Sequence, residues 1–130
     1  MQDRPQSWPT DCIVLAATGT ALTCTSLLVQ HTLRTWQLRS VVRQVEAVAL
    51  QLVHGAVEAT GTMDEHLNQV ERLSIIAVGL RRTMDAVVVE VWDSSLEPPI
   101  GPAPVGYRSG YFMHDGGKVV WTAVAYLLCQ

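Results

Sequence analysis

The stretch Val87-Val88-Val89-Glu90-Val91-Trp92-Asp93-Ser94-Ser95 decides the reading of the fold. A run of β-branched residues followed by an aspartate and two serines reads as a β-strand that delivers one carboxylate to a loop at its end. Upstream, Leu73 to Arg82 reads as a second strand, joined to the first through a turn at Thr83-Met84-Asp85-Ala86, so the two form an antiparallel pair. Downstream, Asp93 to Gly106 holds Pro98, Pro99, Pro102 and Pro104 with Gly101 and Gly106. Prolines at that density prohibit a helix or a central strand, so this is a loop. Tyr107 to His114 and Lys118 to Leu127 then read as a closing hairpin, with Asp115-Gly116-Gly117 as its turn.

The N-terminal half is helical apart from its start. Met1 to Thr10 is polar, contains Pro5 and Pro9, and reads as a flexible segment. Residues 11–130 form a single domain. Cys12 to Ala17 is a short apolar run and a strand, broken by Thr18-Gly19-Thr20, with Thr20 as helix N-cap. The first helix runs to about Trp36, with Ala21, Cys24, Leu28 and His31 on one stripe. The second, Val41 to Ala59, places Val41, Val45, Val48, Leu52 and Ala56 on a stripe widened by Val42, Ala49 and Val53. Gly61 is its expected stop, and Met63 to Glu71 is polar loop or a helical turn. The order β-α-α-β-β-loop-β-β predicts a two-layer α+β sandwich, a mainly antiparallel sheet with helices on one face.

Composition excludes several functions. The chain has 130 residues, 48% hydrophobic and 16% charged, which suits one compact domain rather than disorder. Its net charge is -3, and its nine Lys and Arg are spread from Arg4 to Lys118, leaving no footprint for nucleic acid. Cys12, Cys24 and Cys129 share no metal-type spacing and read as reduced thiols of a cytoplasmic protein. His31, His54, His66 and His114 are equally scattered, which gives no zinc pattern. Cys12 to Gln30 is uncharged, but its threonines and the preceding Asp3 and Asp11 argue against a signal or membrane span. Asp64, Glu65, Glu71, Asp85, Glu90 and Glu97 are expected to be mostly solvated.

Five features in this order resemble the histidine-kinase-like (GHKL) ATPases: the strand near Cys12, the helix ending at Trp36, Leu50-Gln51-Leu52-Val53, Val87–Asp93, and Gly116-Gly117-Lys118-Val119-Val120-Trp121. The chain resembles in particular the small ATP-binding anti-sigma-factor kinases of actinobacteria, and the resemblance covers most of residues 12 to 125. It implies a Bergerat-like fold with the lid and one helix missing. It also implies that Gln51 and Gly55 occupy the positions where the family carries a Glu and a magnesium-holding Asn, four residues apart on one helix face. Gln51 takes no proton as a base, and Gly55 offers no oxygen to a hard cation. Asp93 stands where the family's aspartate accepts a hydrogen bond from adenine.

Each residue also has a plainer reading. Gly55 could serve close packing of the helix. His54, rotated away from Gly55, is expected to be exposed or partner-facing. Asp93 could cap its own turn through Ser94 or Ser95. The proline-rich 96–106 segment replaces the family's glycine-rich lid, and Gly101 and Gly106 are too far apart to form a phosphate nest. The expectation is therefore a non-catalytic regulator with no cofactor, ATP and magnesium being doubtful ligands. It would bind a sigma-factor-like protein or its antagonist, or a second copy of itself, with neither nucleic acid nor membrane as partner. Trp36, Trp92, Trp121, Tyr107 and Tyr111 are candidate anchors. The alternatives are a weak ATP/ADP-binding regulator or serine kinase with a divergent site, in which Asp93, Gln51 and Gly55 would touch nucleotide, and a domain binding another small ligand.

Overall fold

The computed structural model describes residues 10–60 and 74–126. The expected N-terminal segment up to residue 9, the Gly61 stop, the Met63–Glu71 stretch, His66 and Cys129 lie outside them. Five strands and two helices follow in the predicted order: β1 (Thr10–Ala16), α1 (Thr20–Thr35), a 3₁₀ turn (Arg39–Val41), α2 (Val42–Thr60), β2 (Ile75–Arg82), β3 (Ala86–Asp93), β4 (Arg108–His114) and β5 (Gly117–Ala125). The sheet order is β1-β2-β3-β5-β4, and every neighbouring pair is antiparallel. The architecture is an α+β sandwich with both helices on one face of an open sheet.

Strand alternation builds that face. Ile76, Val78 and Leu80 on β2, with Val87, Val89 and Val91 on β3, point to the helices and are fully or almost fully buried. They meet Val45, Val48, Ala49, Leu52, Val53 and Ala56 of α2 in one core, so the stripe read from the sequence is the buried stripe. Val41 is buried too, but in the 3₁₀ turn rather than in the helix.

On α1 the buried face differs from the expected one. Ala21 is buried, but its companions are Thr25, Val29, Thr32 and Leu33; Cys24 and Leu28 are half-buried and His31 is exposed. The stripe is rotated by about one residue because two threonines lie inside it. Thr32 Oγ1 donates to Asp11 Oδ2 at 2.7 Å, which satisfies its hydroxyl. Thr25 Oγ1 is buried with no hydrogen-bond partner among the described residues. Thr20 is not the N-cap either; Gly19 holds that position, and Thr20 Oγ1 bonds Thr18 Oγ1 at 2.8 Å.

The closing hairpin turns on two residues rather than three. Asp115 and Gly116 have φ of 52° and 75°, the left-handed pair that matches the twist of a two-residue hairpin. Gly117 belongs to β5, where a Cβ would collide with the Asp93 carbonyl oxygen of β3. Only glycine permits that approach.

On the opposite face of the sheet, Ala86, Val88 and Ala123 form a small cluster with Trp121. Arg81 Nη2 pairs with Glu90 Oε2 at 3.2 Å on that face, so Glu90 is a half-buried ion-pair partner rather than a solvated carboxylate.

Candidate functional site

Asp93 and Lys118 are directly opposed across β3 and β5. Both point to the helix face, beyond the part of the sheet that α2 covers. Their exposures are 1% and 2%, and Lys118 Nζ donates to Asp93 Oδ1 at 2.9 Å. The same oxygen accepts the Ser95 N–H at 2.9 Å. The aspartate therefore closes its own turn, as its position after a strand suggested. Burying two charges is costly unless they meet at hydrogen-bond distance, and this pair does. In the sequence Lys118 stands out only as part of the closing Gly116–Trp121 stretch. A lysine inside an apolar strand was the available signal, but its partner depends on register.

Gln51, Gly55 and Asp93 line one cavity of about 620 Å³. Its walls are α2, the ends of β3, β4 and β5, and the proline-rich loop. Gln51 is exposed and its Nε2 donates to Pro102 O at 3.2 Å, tying α2 to the loop. A Cβ placed on Gly55 would meet nothing within 4 Å. Close packing is therefore not the reason for a glycine there, which corrects one of the two readings of that residue; its missing side chain leaves space on the cavity wall. His54 is exposed at the rim, 3.5 Å from Glu58 one helical turn on.

The loop crosses the cavity as a strap. Pro104 is its buried anchor, and Gly101 and Gly106 turn it with φ of 87° and 90°. Leu96, Ile100 and Val105 are turned outward with exposures of 67%, 86% and 90%. Of the aromatic candidates, Trp36, Trp92, Trp121 and Tyr107 are half-buried, whereas Tyr111 is exposed and lines the cavity.

These groups can hold a ligand but are poorly suited to moving a phosphoryl group. Magnesium fits them poorly: Gly55 offers no side-chain oxygen, and Asp93 Oδ1 is already taken by Lys118 Nζ and the Ser95 N–H. Among the described residues no three His, Cys, Asp or Glu side chains come together to hold a metal ion. No described helix is long and apolar enough to cross a membrane. No family model matches the chain, and no curated protein or solved structure matches it at a significant level.

Proposed function

We propose that this protein is a non-catalytic regulatory domain on a degenerate histidine-kinase-like ATPase scaffold, acting by binding another protein. The observation that carries the reading is the strap: Leu96, Ile100 and Val105 stand in solvent on a segment anchored by Pro104 and held to α2 through Gln51. Exposed apolar side chains gathered on one anchored loop are what a protein interface uses. The engagement of Asp93 by Lys118 and Ser95 supports the non-catalytic half of the proposal. The resemblance suggests a sigma-factor-like protein or its antagonist as partner, and a second copy of this chain could use the same surface.

The test compares the wild-type chain with a Leu96→Ser/Ile100→Ser/Val105→Ser variant. Light scattering reads self-association, and co-purification from the native cells reads a second protein. Loss of either complex in the variant, at unchanged circular dichroism, is the expected result. Calorimetric titration with ATP and magnesium should give no micromolar binding. Such binding, abolished by Asp93→Ala, would replace this reading with a nucleotide-binding regulator.

A further inference from the structure

We propose that the cavity beneath the strap binds a small apolar cation and selects it over anions of the same shape. This goes beyond the protein-contact reading and does not depend on it. A volume of about 620 Å³ is in the range of small-ligand sites. Leu52, Ala56, Val91, Val120 and Pro98 supply apolar wall for a hydrophobic body, and the bare Gly55 adds room.

The charges decide the sign of the ligand. Asp93, Glu58 and Glu97 place three carboxylates around the cavity against the single ammonium of Lys118. That ammonium is already opposed by Asp93 at 2.9 Å, so it offers an incoming anion little uncompensated charge. Glu58 has His54 beside it. The Glu97 carboxylate has no partner among the described residues; only its backbone N–H is engaged, by Ser95 Oγ. The lining holds both Glu97 and the Tyr111 ring, a carboxylate and an aromatic face of the kinds that recognise substituted ammonium groups. A polyphosphate would face the same carboxylates as repulsion.

The experiment titrates the full chain with phenyltrimethylammonium, its neutral isostere tert-butylbenzene, benzoate and ATP, following backbone amide shifts by NMR. The cation is expected to shift Gly55 and Tyr111, with the neutral isostere about tenfold weaker and benzoate and ATP without effect. Glu97→Gln, an exposed change that leaves the fold intact, should weaken the cation about threefold to tenfold without altering the isostere. Gly55→Leu should fill the site and abolish both. Benzoate or ATP binding as tightly as the cation, shifts confined to other residues, or no binding by any probe would each overturn the proposal. ATP binding would count against both proposals, but benzoate binding, shifts confined to other residues or no binding by any probe leaves the strap reading untouched. An unchanged complex in the strap variant leaves this one untouched, so the two are distinguishable.

Discussion

Lys118 and Asp93 form a buried cross-strand ion pair, 25 residues apart in sequence and 2.9 Å apart in space. Removing one partner strands the other charge in a nearly water-free place. Lys118→Met should lower unfolding free energy by about 3–5 kcal/mol in urea denaturation. The double variant Asp93→Leu/Lys118→Met should recover most of that loss. If the double variant loses the sum of the two single-variant losses, the pair is not energetically coupled.

Gly117 should tolerate no side chain. A Cβ there meets the Asp93 carbonyl oxygen, so β3 or β5 must move. Gly117→Ala is expected to cost about 3 kcal/mol, whereas Gly116→Asn, at a φ that asparagine adopts, should cost far less. Thermal melts of the two variants give the comparison.

Gly55 presents the opposite case. It lies within α2 with open space where a Cβ would stand. Gly55→Ala should raise stability by about 1 kcal/mol, the usual helix-propensity difference. A destabilised variant would mean that the helix needs glycine for a reason the geometry does not contain.

Thr25 is buried in α1 with its hydroxyl unpartnered. Thr25→Val keeps the shape and removes the unsatisfied group, so a gain of about 1 kcal/mol is expected. Thr32→Val, which leaves Asp11 without its hydroxyl donor, should instead lose stability. Opposite signs in one denaturation series are the result to look for.

The Cys12 thiol should alkylate slowly. Cys12 is an exposed residue, but partial desolvation of its thiol, then the Asp11 and Glu90 carboxylates, pushes its pKa upward, outweighing a hydrogen bond from the Ile13 backbone that lowers it. A raised pKa leaves less thiolate at any pH below it. Site-resolved mass spectrometry after iodoacetamide treatment should therefore place the Cys12 rate midpoint above that of a free cysteine peptide. Glu90→Gln should bring it part of the way back.

Sequence alone determined the element order and the α2 face. It also predicted that a strand ending in Asp93 would hand its carboxylate to the following turn. These are local matters: the period of a helix, the alternation of a strand and the chemistry of a turn residue are written over a few neighbouring positions. The α1 face departs from its apolar periodicity because periodicity counts threonine as polar, and only the packed sheet shows Thr25 and Thr32 turned inward. Tertiary structure alone decided that Lys118 stands opposite Asp93, that Gly117 passes under the β3 backbone, and that Gln51, Gly55 and Asp93 share one cavity. Strand register and the path of the strap depend on residues dozens of positions apart, so no short window of sequence contains them.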